Sequence, residues 1–131
     1  RARFAADARW AGLLAQAAGQ VLSQPHAALA SFGIQAPQCH QGLVISGDRF
    51  VSSGAESLAL RQVLPDALAV EMEGAALAQV CADYGRPFAV LRTISDRADD
   101  QAHVDFPRFL ADVAAEYSRD IVMAALALAT A

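Results

Sequence analysis

Cysteine is scarce. The 131 residues hold two, Cys39 and Cys81, and their separation suits neither a zinc site nor a redox pair, so reduced thiols of a cytoplasmic protein are expected. Positive charge is also short. Lys plus Arg number 10 against 14 Asp plus Glu, a net charge of −4, and no basic stripe runs along the chain, so nucleic acid is not an expected partner. No secretory leader is visible, because Asp7 and Arg9 interrupt the apolar run that would have to follow Arg1-Ala2-Arg3-Phe4. The apolar tail Ile121 to Ala131 falls short of the roughly 20 residues that cross a bilayer, so no membrane partner is expected either. His26, His40 and His103 stand apart from one another, which argues against a metal site. The chain does not open on methionine, and it is read as part of a longer protein.

Apolar residues, in contrast, are plentiful. They make up 55% of the chain, above the about 45–50% usual for soluble domains even with glycine counted. Strands covered on both faces, or surface held for a partner, would account for the excess. The length suits a single domain over 1–131.

The hydrophobic periodicity predicts a helix over Ala5 to Leu22, with Trp10, Leu13, Leu14, Ala17 and Val21 on one face. Pro25, Gly33 and Pro37 mark 23–38 as a loop with a short helical piece at Ala27 to Phe32, a surface insertion. Cys39 to Ser46 reads as a buried strand, broken by Gly47-Asp48. A helix over Gly54 to Leu64 leads to a strand at Leu68 to Glu71. The next helix, Glu73 to Tyr84, is expected to pack its Leu77, Val80, Cys81, Tyr84 stripe on the sheet and to stop at Gly85. Phe88 to Ile94 reads as the last strand and Arg97 to Asp105 as a polar loop. Asp105 is placed to cap a final helix whose Phe106, Leu110, Val113, Tyr117, Ile121, Ala124 and Leu128 form one buried face. Alternating strands and helices predict an α/β layered sheet.

Two of these strands end in acid: Glu71-Met72-Glu73 after one, Ser95-Asp96 after the other. Ligands of open α/β sheets bind beyond the carboxyl ends of the strands. One ionised carboxylate there can accept hydrogen bonds from a diol, while a desolvated one can deliver a proton near neutrality. Taken alone, such carboxylates are better explained as helix caps or solvated loop ends, Phe50 and Phe106 as core aromatics, Met72 as core packing, and Arg92 as an ion-pair partner of Glu71 or Glu73.

The combination is more specific. Ser46-Gly47-Asp48-Arg49-Phe50-Val51, Val70-Glu71-Met72-Glu73-Gly74-Ala75-Ala76 and Arg92-Thr93-Ile94-Ser95-Asp96-Arg97-Ala98-Asp99, with Phe106 and Phe109 beyond, resemble the nucleoside phosphorylase/hydrolase superfamily. Within it they look like the 5′-methylthioadenosine/S-adenosylhomocysteine nucleosidases. The resemblance runs from about Gly42 to the C-terminus. It implies a three-layer α/β/α fold with a central mixed sheet, of which this chain would be the C-terminal part.

The same resemblance implies roles. Asp96 would protonate adenine N7, oriented by Ser95. Glu73 would bind the ribose hydroxyls, with Met72 against the sugar and Arg92 beside the glutamate. Phe50 would stack on adenine and the Val51 backbone would read its edge. Ala98 belongs to the same binding motif, and Phe106 would line the pocket for the 5′-alkylthio group. No metal or organic cofactor is implied, and a homodimer is. The glutamate that activates water in the family would come from an N-terminal half absent here, since Glu56 and Glu116 sit in helical patterns of another kind. The chain alone is therefore expected to be inactive. A phosphorylase, a futalosine-type or other adenosine nucleosidase, and a noncatalytic nucleoside-binding fragment remain alternatives.

Overall fold

The computed structural model describes residues 3–98 and 107–131. Helix α1 spans Ala8–Leu22. It starts later than its apolar pattern because the Asp7 carboxylate accepts the Trp10 N–H at 2.9 Å and caps it there. The Asp7 N–H reaches across the fold to the Phe88 carbonyl at 2.7 Å. Trp10 is half-buried, with the Arg9 guanidinium 5.6 Å from its ring centre.

The segment after α1 makes one short 3-10 turn, Leu29–Phe32, closed by Gly33 in the left-handed region at φ 68°. It packs inward: Leu29 is buried, and Phe32 and Ile34 join the core around it. Strand β1 is Leu43–Ser46, shorter than the expected run from Cys39. Helix α2, Gly54–Val63, carries the chain to strand β2, Ala67–Glu71. The two strands pair in parallel, with Ser46 opposite Glu71 at the ends and an irregularity between Leu43 and Val44.

Helix α3 covers Gly74–Asp83 and lies against β1. Its rotation differs from the expectation. Leu77, Val80 and Tyr84 point outward, while Ala78 is buried and Cys81 half-buried. Small side chains let the helix come close to the strand, and the bulkier stripe is left on the outside. The expected strand Phe88 to Ile94 is also absent, because no described strand offers it a ladder of hydrogen bonds. It runs as irregular backbone.

A helical start at 107–109 passes through a π turn, Leu110–Ala114, into helix α4, Ala115–Thr130. Among the described residues the buried face holds Phe109 in place of Leu110 and continues through Val113, Tyr117, Ile121 and Ala125. The widened π turn lets a four-residue step keep facing the same way, and Leu110 is left half exposed. Asp105 and Phe106 lie outside the described residues. Helices α1 and α4 pack along each other, with Ala17 and Ala18 against the α4 face.

This helix pair also holds the 23–42 connection. Arg108 stacks 4.5 Å from the Phe32 ring centre and donates to the Ser31 carbonyl at 3.0 Å. Phe32 meets Phe109 edge to face at 5.4 Å. His26 lies 4.9 Å from the Tyr117 ring, and its Nε2 is 3.0 Å from the Glu116 carboxylate.

Tyr117 has a buried hydroxyl with no hydrogen-bond partner among the described residues, and burial raises its pKa. An unpaired buried hydroxyl costs stability, so Tyr117→Phe should hold or gain up to about 1 kcal/mol in urea unfolding, whereas Tyr117→Ala should lose about 3–5 kcal/mol. A loss in Tyr117→Phe would show that the hydroxyl is paired in solution.

Candidate active site

The site begins with the polar C-terminal ends of two parallel strands. Ser46 and Glu71 face each other there, and the Ser46 hydroxyl donates to Glu71 Oε1. The same Ser46 oxygen accepts the Ala75 N–H at 2.8 Å. Glu71 in turn accepts from the N–H of Glu73 at 2.9 Å and of Gly74 at 2.7 Å. These are first-turn donors of α3 that have no partner inside the helix. The cap is thus made by a residue of the strand, and Glu73, at the N-cap position, makes no side-chain cap bond.

Glu71 is the buried carboxylate among the described residues, its side chain 3% exposed. Burial alone would raise its pKa. The Ser46 hydroxyl, the Glu73 and Gly74 N–H groups and the Arg92 charge outweigh that and hold it below the ordinary carboxylate range. Arg92 lies between two carboxylates, with Nη1 3.8 Å from Glu71 and 3.4 Å from Glu73. Glu73 itself is 72% exposed and faces solvent.

The second acidic end is built differently. Ser95 Oγ donates to Asp96 Oδ2 at 2.5 Å, and the Ala98 N–H donates to Oδ1 at 2.7 Å. Both oxygens of Asp96 are held, and its rotamer with them. Ala98 adopts φ 53°, the one non-glycine residue with positive φ among those described. That conformation costs an L-residue about 1–2 kcal/mol, and it brings the Ala98 N–H back onto the carboxylate.

Beyond these ends lies a cleft of about 790 Å³. Asp96, Ser95, Ala98 and Arg92 line one part of it, Met72 and Glu73 another. Phe50 and Val51, from the loop after β1, complete the lining. Eight of the nine residues singled out in the sequence therefore meet in one space, and Phe106 lies outside the described residues. A flat apolar body with a polar edge, flanked by hydroxyls, would fit such walls: an aromatic face, a thioether and two carboxylates with a shared guanidinium. Among the described residues, no group of three or more His, Cys, Asp or Glu could hold a metal ion, and no helix is long and apolar enough to cross a membrane.

A sequence profile of the phosphorylase superfamily matches residues 1–127. The chain belongs to the phosphorylase superfamily. Its fold matches solved members closely. The 5′-methylthioadenosine/S-adenosylhomocysteine nucleosidase of Neisseria meningitidis, bound to methylthio-immucillin-A, superposes with a TM-score of 0.80 at 35% identity over 96% of this chain and 48% of that one. The nucleosidase of Colwellia psychrerythraea 34H, in complex with adenine, gives 0.79 at 27% over 95% and 46%. Futalosine hydrolase of Helicobacter pylori gives 0.63 at 30% over 91% and 46%. The chain spans about half the length of these structures.

The sequence reading assigned no role to Ser46. Its signal was present as a lone hydroxyl ending an apolar strand, but only the parallel register pairs it with Glu71. Ser46→Ala should cost about 1–3 kcal/mol at pH 7, because the Ala75 N–H and the Glu71 carboxylate each lose a partner. Glu71 has a depressed folded pKa, so the stability it contributes is full above its unfolded value near 4.5 and fades as pH falls below that. The Ser46→Ala deficit should shrink accordingly between pH 7 and pH 3 in urea titrations. An unchanged deficit would place the loss in the Ala75 N–H alone.

Proposed function

We propose that this chain forms the adenine- and ribose-binding half of an N-glycoside hydrolase that cleaves 5′-methylthioadenosine and S-adenosylhomocysteine. The observation that carries the reading is the Asp96 carboxyl, held at both oxygens by Ser95 and Ala98 in the cleft that also holds the Glu73–Arg92 pair. The likeness to nucleosidases along nearly the whole chain supports it.

In this reading Asp96 gives a proton to adenine N7. The C1′–N9 bond breaks and its electron pair leaves with the base. A ribosyl cation forms against Met72, with the sugar hydroxyls on Glu73. Water adds at C1′ and loses its proton to a base. Phe50 stacks on adenine, the Val51 backbone reads its edge, and Phe106 receives the 5′-alkylthio group. Leaving-group protonation and charge stabilisation need no metal or organic cofactor.

The water-activating carboxylate comes from outside these 131 residues. Glu56 belongs to the start of α2, where its N–H reaches the Ser53 hydroxyl at 3.3 Å and its carboxylate pairs with Arg49 at 3.4 Å. Glu116 faces His26. Neither is free to act on water at C1′, so the isolated chain would bind adenine without turnover. A homodimer completes the reading, supported by the apolar Leu77, Val80 and Tyr84 exposed along α3. Cytoplasmic residence accords with Cys39 and Cys81 as free thiols. The futalosine hydrolase match keeps one second substrate in view, and the higher TM-scores of the Neisseria and Colwellia nucleosidases rank it behind.

Adenine release by the full-length protein that carries this chain should proceed without phosphate and faster from methylthioadenosine than from futalosine. Asp96→Asn should lower kcat by about 10²–10⁴-fold, the usual contribution of a positioned acid. Normal release by Asp96→Asn would sink the mechanism, and a requirement for phosphate would make the protein a phosphorylase.

A further inference from the structure

Glu71 is given no substrate contact in the proposed reaction, yet three parts of the cleft meet on its carboxylate. It accepts from Ser46 of β1, from the first N–H groups of α3, and stands 3.8 Å from Arg92. A side chain at position 74 would disturb that seat: a Cβ on Gly74 would stand 2.8 Å from Glu71 Oε1 and 3.2 Å from its carboxyl carbon. Glycine at 74 therefore answers to the carboxylate above it, since Gly74 shows no positive φ to require it.

We infer that Glu71 is a positioning residue for diol recognition by Glu73. It acts in two ways. Its Oε2 fixes the Glu73 backbone N–H at 2.9 Å, which sets where that side chain leaves the chain. Its buried charge also shares the Arg92 guanidinium, which would otherwise belong to Glu73 alone. A guanidinium claimed by two carboxylates leaves the exposed Glu73 oxygens able to accept a pair of hydroxyls. A guanidinium with one partner closes a two-point pair on it and competes with the diol. The net effect is a ribose-binding carboxylate that is aimed and only partly neutralised.

The inference rests on the nucleoside-binding reading, and its test separates the two. Glu71→Gln keeps the shape and the acceptor oxygen but removes the charge. Apparent affinities would be measured on the full-length protein for methylthioadenosine, its 2′-deoxy analogue and adenine, as KM where turnover occurs and by calorimetry where it does not. Glu71→Gln should weaken the diol nucleoside roughly tenfold, the loss of one charge-assisted contact, with kcat at saturation nearly unchanged. The 2′-deoxy analogue should lose far less, and adenine nothing.

Equal losses for diol and deoxy ligands, a fall in kcat alone, or no change would each overturn the inference. Should Glu71→Gln fail to fold, Gly74→Ala displaces the same carboxylate without removing it, and it must give the same diol-selective loss for the inference to stand. Wild-type turnover reports on the hydrolase reading separately. A diol-selective loss without wild-type turnover would defeat that reading and leave Glu71 in its role, whereas turnover without the selective loss would defeat the role alone.

Discussion

A buried negative charge organises this half of the fold. Taking a carboxylate out of water is costly unless hydrogen bonds and an opposite charge replace the solvent. Glu71 obtains them from three directions: a strand hydroxyl, the open N–H groups of a helix, and an arginine from the segment that carries Asp96. Each donor could be satisfied elsewhere, but the carboxylate could not. The arrangement therefore fixes the relative position of β1, α3 and the 91–98 segment more firmly than two short strands could. It also fixes the rotation of α3, because Gly74 must face the carboxylate and the Gly74–Ala78–Cys81 side then faces inward.

Polar and apolar support are divided in space. The apolar core lies between α1 and α4, with the 3-10 turn at Leu29–Phe32 packed on its end. The cleft lies at the polar ends of the strands, away from that core. Cleft-lining residues can thus be exposed or strained, as Glu73 and Ala98 are, while the helix pair stabilises the chain. Strain at a functional end needs surrounding structure to hold it, and here the holding groups are the two hydrogen bonds on Asp96.

Much of this was legible in the residues. Apolar runs closing on acid marked the strand ends, and the motif around Glu73 and Asp96 marked the cleft, because chemistry at strand termini is written locally. What depended on rotation or pairing was not. The Leu77, Val80, Tyr84 stripe has helical spacing, but spacing does not say which side meets the sheet, and the small-residue side does. Phe88 to Ile94 has the composition of a strand, yet a strand exists only with a neighbour, and no described neighbour pairs with it. Glu71 stood in the sequence only as a strand-end acid and a partner for Arg92, since Ser46 lies 25 residues upstream and Arg92 21 downstream, distances no local pattern spans.

The π turn at Leu110–Ala114 acts as a register buffer. Such a turn takes about one residue more than an α-helical turn to go once round the axis. The surplus residue is therefore absorbed where it sits, and the faces on either side of the turn stay in line. Phe109 keeps its edge on Phe32 while the α1–α4 contact beyond the turn keeps its own face, and Leu110 is the side chain left outside.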